Sequence, residues 1–120
     1  MGENIACEVL SCRGMSILDR NWRAGHKEID IVCRDGNDLR FVEVKSRKEP
    51  LQGQAWEAVS KTKQRTLGEA AKAYINSERM KELGFRPGEY HFDIVTVVWN
   101  EDGDEYSTQY IPDAYILIYA

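Results

Sequence analysis

The stretch EIDIVCRDGNDLRFVEVKSR, from Glu28 to Arg47, carries three charged side chains, Asp30, Glu43 and Lys45, inside runs otherwise built from Ile, Val, Phe and Cys. Runs of that composition bury as strands, and an ionised group inside one is costly unless something pairs with it. Asp35-Gly36-Asn37-Asp38 is a strong hairpin signal, and a loop of two or four residues centred on Gly36-Asn37 pairs residues whose numbers sum to 73. That register sets Asp30 opposite Glu43 and Glu28 opposite Lys45. Opposed residues share a face with Cβ atoms about 4.5–5.5 Å apart, so two carboxylates meet at one point of the sheet. Their repulsion is on the order of 4 kcal/mol at about 4 Å and an effective dielectric near 20, before Lys45 and solvent reduce it.

One resolution is a solvated face with a Glu28–Lys45 surface pair. Residues 39–46 argue for another, because they are apolar on both faces (Leu39 and Phe41, Val42 and Val44), as in a strand covered on both sides. Opposed carboxylates there need a cation. A hard divalent ion, Mg²⁺ or Mn²⁺, chelated by Asp30 and Glu43 with the Val44 carbonyl as a third oxygen, meets that need. Lys45 then stands on the face of Glu43, where a cation can orient a water.

The elements that must position these groups can be outlined from periodicity. Residues 2–13 carry Ile5, Ala6, Val9 and Leu10 at helical spacing and end before Gly14, a suitable C-cap. Strand patterns follow near 15–23, 27–34 and 39–46. Pro50 and Gly53 mark a loop, and Ser60 is an N-cap for a long helix with Leu67, Ala70, Ala71, Tyr74 and Ile75 on one face, expected to end around Gly84. YHFDIVTVVW (90–99) and EYSTQYI (105–111) read as two further strands, followed by an ordered terminal segment. The expected fold is α/β, with helices flanking one mixed sheet in the order α-β-β-β-α-β-β, as one domain over residues 1–120.

No apolar run reaches the roughly 20 residues of a membrane helix and no leader pattern precedes the first helix, so the expectation is a cytoplasmic chain without a membrane partner. Cys7, Cys12 and Cys33 lack metal-ligand spacing and read as reduced core residues. His26 and His91 sit apart from any ligand constellation in the sequence and read as structural or exposed residues, and Trp22, Trp56 and Trp99 read as core or interface residues. The net charge of -4 conceals a division: residues 1–75 hold thirteen Lys and Arg against eleven Asp and Glu, while residues 76–120 hold three against nine. A phosphate-binding surface therefore belongs to the first two thirds. The acidic NEDGDE at 100–105 reads as a solvated hairpin tip.

Asp30, followed thirteen positions later by Glu43-Val44-Lys45 across a hairpin, resembles the D…ExK signature of the PD-(D/E)xK, restriction-endonuclease-like nucleases. The wider layout is similar to the YraN-type family of uncharacterised bacterial proteins, distant relatives of archaeal Holliday junction resolvases. GENIACEVL at 2–10, RNWR at 20–23, EIDIV at 28–32, FVEVKSR at 41–47, AVSKTKQRTL at 58–67 and FDIVTV at 92–97 carry that likeness in order. Ile29 stands where such nucleases often have proline. The resemblance implies an αβββαβ core and hydrolysis of DNA phosphodiester bonds, with branched DNA as a candidate substrate. It also implies that Glu3, on the first helix, reaches the metal site; a second ion would use Glu3 or Glu28. Acting on two strands would require a symmetric dimer.

The long helix adds support. Lys61, Lys63 and Arg65 crowd its start, where positive charge opposes the helix dipole by about 0.3–1 kcal/mol each, and a bound phosphate would compensate. Gln64 could contact the scissile phosphate, and Arg20, Arg23, Lys27, Arg47 and Lys48 could extend the strip. Two other readings compete: a non-catalytic nucleic-acid-binding module on a nuclease fold, and an interaction domain whose acidic final third docks a basic partner. The trio Asp30, Glu43 and Lys45 weighs against the first, and the basic helix start against the second.

Overall fold

In the computed structural model, residues 2–49 and 61–115 are described. Along them run α1 (Gly2–Cys12), β1 (Ser16–Ala24), β2 (Lys27–Asp35), β3 (Asp38–Lys48), α2 (Lys61–Ile75), α3 (Glu78–Leu83), β4 (Tyr90–Trp99) and β5 (Tyr106–Ile111). The five strands form one mixed sheet in sequence order, antiparallel throughout except for the parallel β3–β4 pair. Parallel neighbours need a long crossover, and the chain between β3 and β4 supplies it with α2 and α3. The αβββαβ order expected of a restriction-endonuclease-like core is present, with α3 and β5 added.

The strand expectations agree with these bounds to within about two residues. The long helix is corrected. It stops at Ile75, because Ser77 leaves the helical region (φ -83°, ψ 162°) and its Oγ accepts from the Met80 N–H, capping a new helix that ends on Gly84 in the left-handed region. A serine that caps the following turn offers the backbone an alternative to continuing the previous helix. The break lets Met80 enter the core and Arg79 reach Asp19, 2.8 Å away. Ser60, Pro50, Gly53, Trp56 and residues 116–120 lie outside the described residues.

Helices cover both faces of the sheet. On one side α2 and α3 pack Ala70, Ala71, Tyr74 and Met80 onto Ile29, Val32, Leu39, Phe41 and Phe92; on the other α1 packs Ala6 and Leu10 onto Ile31, Cys33, Val42, Val95 and Val97. Odd-numbered residues of β3 thus face α2 and even-numbered ones face α1, the period of two that any strand imposes. Cys33 is buried, as expected, and burial pushes its thiol up to about 12. Cys12 corrects the expectation of a core residue: as the last residue of α1 it is exposed. Trp22 and Trp99 are half-buried, Trp22 edge-on to Tyr74 at 5.1 Å. The 100–105 segment is an exposed turn closed by Asn100, whose Oδ1 accepts from the N–H groups of Asp104 and Glu105. Among the described residues no helix is long and apolar enough to cross a membrane.

Candidate metal centre

The β2–β3 hairpin closes through a two-residue loop, with Gly36 at φ 61° and Asp35 paired to Asp38. Every observed pair keeps the expected sum, from Asp35↔Asp38 to Ile31↔Val42. The ladder then stops, one position before Asp30 and Glu43. Neither that pair nor Glu28↔Lys45 is formed as a ladder rung, which corrects the simple extrapolation of the register. Asp30 does not stand on a face opposite Glu43; its Oδ2 accepts from the Val44 N–H at 2.8 Å, across the gap where β2 leaves β3. Glu28 pairs with Arg23 at 3.1 Å on the outer strand.

The carboxylates still gather. Burial pushes Asp30 up from 3.8 to about 6; the Val44 N–H works against that shift, and the nearby charges of Glu43, Glu28 and Glu3 add to it. A half-buried acid among three others is a place where charge has been concentrated against its own electrostatics. Val44 sharpens the picture. In a strand the N–H and C=O of one residue point to the same edge, so the Val44 carbonyl shares the Asp30 edge with its N–H. Carboxylate oxygens and a carbonyl are the donor set of hard ions such as Mg²⁺ and Mn²⁺, so the residues present fit the group that the sequence implied.

Glu3 is held at this edge by α1. Gly2 permits the approach: a Cβ added there would lie 3.1 Å from Ser46 Cβ on β3. Glu3 Oε1 accepts from Arg20 Nε at 3.1 Å and from Asn21 Nδ2 at 2.8 Å, and Arg20 also donates to Asn4 Oδ1 at 2.6 Å. On the opposite face, Lys63 from the first turn of α2 lies 3.5 Å from Glu43 Oε1. That contact brings the basic end of α2 to the carboxylates. By the alternation along β3, Lys45 and Arg47 share the face of Glu43, Lys45 half-buried and Arg47 exposed.

The model of a family described as "Uncharacterised protein family UPF0102" matches residues 2–97. The chain belongs to this family. Relatives named UPF0102 protein include one from Dictyoglomus turgidum, 36% identical over 96% of this chain and 93% of its own length. Another, from Clostridium tetani, is 37% identical over 98% and 92%, and one from Syntrophotalea carbinolica is 40% identical over 95% and 87%. The family likeness read from the sequence blocks is therefore shown, while the family's name carries no activity.

The remaining candidates of the UPF0102 chain are distributed unevenly. Lys61, Lys63 and Arg65 are exposed along the start of α2 and Gln64 is half-buried there. Arg20 lies at Glu3, with its guanidinium engaged by Glu3 and Asn4. Arg23 and Lys27 are in ion pairs with Glu28 and Glu69, so they are poor members of a phosphate strip.

Three features escaped the sequence reading. Asn21 has φ 51° in the middle of β1, and an asparagine within a strand pattern was the available signal. Asp93 is fully buried in β4, held by Arg40 Nη1 at 3.1 Å to each oxygen, by the Tyr110 hydroxyl at 2.6 Å and by the Asp113 N–H at 2.9 Å. The signal there was the one that drew attention to Asp30, a charge inside an apolar strand. His91 corrects its reading as remote from ligands: folding brings it to Asp38 and Glu89, with ligand atoms within 4.8 Å of one another. Its ring nitrogens contact Asp113 at 2.6 Å and Asp38 at 3.0 Å. Burial disfavours its charge, but the two carboxylate hydrogen bonds outweigh that and raise its pKa. Both nitrogens are thus occupied by a structural clamp.

Proposed function

We propose that this protein is a metal-dependent endonuclease hydrolysing DNA phosphodiester bonds, with branched or otherwise structured DNA as the substrate class suggested by the resolvase-like signature. The observation that carries the reading is Asp30, a half-buried carboxylate raised to about 6 amid Glu43, Glu28 and Glu3, beside the Val44 carbonyl edge and facing the basic start of α2. Arg20, Arg23 and Lys63 each pair with one of the three glutamates, and a divalent ion bound beside Asp30 would relieve the charge that remains.

In this reading Asp30, Glu43 and the Val44 carbonyl hold Mg²⁺ or Mn²⁺, with Glu3 as a further carboxylate. The ion supplies Lewis acidity toward the phosphate oxygens and toward the attacking water. Lys45, on the Glu43 face, orients that water and stabilises the charge developing on phosphorus oxygens. Lys61, Lys63, Gln64 and Arg65, along the start of α2, hold the neighbouring phosphates, and Arg47 extends the contact along β3. Cutting both strands of a junction would take two copies of the chain, arranged symmetrically.

The first test is a cleavage screen over single-stranded, duplex, flap and four-way DNA with Mg²⁺ or Mn²⁺, beside Asp30→Asn and Glu43→Ala. Cleavage that both variants abolish supports the reading; DNA binding without cleavage on any substrate replaces it with the binding-module reading.

A stability measurement reports on the same group without DNA. Because the folded-state pKa of Asp30 lies above its unfolded value, the fold binds the extra proton, and stability falls as pH rises from about 4 to about 6 and stays low above that. Asp30→Asn removes this cost. In metal-free buffer at pH 7.5 the variant should be the more stable by on the order of 1–2 kcal/mol, after discounting for solvent at a half-buried group. The gap should close by pH 4, and Mn²⁺ should stabilise only the wild type. Equal melts at both pH values would show that Asp30 carries no such strain.

Salt dependence tests the phosphate surface. Affinity for DNA should fall with salt, and Lys61→Ala with Arg65→Ala should lower the slope by up to about two contacts. Lys63 is left intact because it also neutralises Glu43. A slope these changes leave untouched would move the interface away from α2.

A further inference from the structure

Arg20 and Asn21 are consecutive residues of β1, yet both side chains donate to the same oxygen, Oε1 of Glu3. A regular strand sends neighbours to opposite faces, so this is possible only where alternation is broken. The break is at Asn21, whose φ of 51° lies in the left-handed region that asparagine tolerates better than most residues. Its consequences run through both strands. The pairs Arg20↔Ile31 and Trp22↔Ile29 flank the position, and no Asn21–Asp30 pair forms between them. Beyond it Ile29 packs in the α2-side cluster together with Val32, although three residues apart would place them on opposite faces of a regular strand. Asp30, at the centre of the disturbance, turns to the Val44 N–H. Among the described residues Glu3 Oε2 has no hydrogen-bond partner, since both donors use the other oxygen.

Resting on the metal reading of the site, we infer that Asn21 is a positioning residue, its left-handed backbone and side-chain amide together holding Glu3 with one oxygen free toward the Asp30–Glu43 centre. The amide acts by fixing the carboxylate's rotamer, as hydrogen-bond partners outside the ligand shell do in metal sites generally. Arg20 alone would hold Glu3 by charge, but its guanidinium also serves Asn4 and is more than one-third exposed. The short Asn21 side chain, fixed on the sheet, gives the narrower geometry.

The experiment is isothermal titration of the metal-free protein with Mn²⁺, with a thermal melt of each chain. Asn21→Gly and Asn21→Asp both accept a positive φ and both lack the amide donor, so one serves if the other folds poorly. Either should weaken Mn²⁺ binding by about 10- to 100-fold at a nearly unchanged melting temperature. Glu3→Ala should weaken it at least as much, and adding Asn21→Gly to Glu3→Ala should cost nothing further, because the amide acts only through Glu3. Wild-type affinity in a folded Asn21 variant, or fully additive losses in the double variant, would overturn the inference. Asp30→Asn separates the two levels. If it abolishes binding while Asn21→Gly does not, only the role of Asn21 falls; if the wild type binds no Mn²⁺, the metal reading fails and takes this inference with it.

Discussion

Replacing Arg40 by methionine is expected to cost about 3–5 kcal/mol of stability, a large part of what a domain of this size possesses. Asp93 is fully buried, and its cation is a guanidinium only 13% exposed that also holds Asp35 at 3.0 Å. Burial disfavours the charge on Arg40, but Asp93 more than compensates and holds its pKa up. Without the guanidinium, Asp93 would keep the Tyr110 hydroxyl and the Asp113 N–H but no counter-charge. The compensating change is Asp93→Asn, which removes the orphaned charge; its Oδ1 still accepts from the Asp113 N–H, and its amide N–H donates to the Tyr110 hydroxyl, which can rotate to accept. Urea melts should show Arg40→Met strongly destabilised and Arg40→Met/Asp93→Asn recovering much of the loss. A single variant that melts within a few degrees of the wild type would show that water reaches Asp93. The network matters for the site because it ties β3, β4 and the turn after β5 together, and β3 carries Glu43, Val44 and Lys45.

Lys45→Ala should reduce DNA cleavage by about 10²–10³ while leaving Mn²⁺ affinity equal or higher. The difference separates a ligand from a group acting on the transition state. Glu43→Ala removes an oxygen from the ion and should lose both metal and cleavage, whereas Lys45→Ala removes a positive neighbour that competes with the ion for the same carboxylates. Half-buried on the Glu43 face of β3, Lys45 has less water around it than an ordinary surface lysine, which strengthens its action on a developing charge. DNA affinity should change only slightly. Single-turnover cleavage, titration and a thermal melt on the same preparation decide the matter. A folded Lys45→Ala chain that cleaves at the wild-type rate would make Lys45 structural and remove one support of the nuclease reading.

Much of this protein was legible in its sequence because period and punctuation are local properties. The alternation in residues 27–48 and the Asp-Gly-Asn-Asp turn determined the hairpin and its register as far as Ile31↔Val42, and the structure chose the two-residue loop over the four-residue one. The largely apolar run of 90–99 determined a strand, and the anomaly of charges in runs of this kind singled out Asp30, Glu43 and Lys45. Side-chain period alone could therefore nominate the site, although it would have stood Asp30 on a face.

Tertiary structure decided the rest, since those contacts join residues far apart in the chain. That Asp30 turns to Val44 goes with a left-handed Asn21 on a third strand, where the β1–β2 ladder skips the Asn21–Asp30 pair, and no pairing rule for β2 and β3 includes it. That Glu3 reaches the edge depends on α1 docking against Ser46, forty-four positions after Gly2. That Lys63 meets Glu43 depends on the crossover bringing α2 over the sheet. The helix break at Ser77 was written locally, but continued helix and new cap were both open to the sequence; the chain chose the cap where Met80 enters the core and Arg79 meets Asp19. The sequence by itself determined which groups carry charge into the sheet and which strands they ride on. Packing determined how those charges meet, because the energy of a buried carboxylate depends on neighbours and solvent that only the assembled fold supplies.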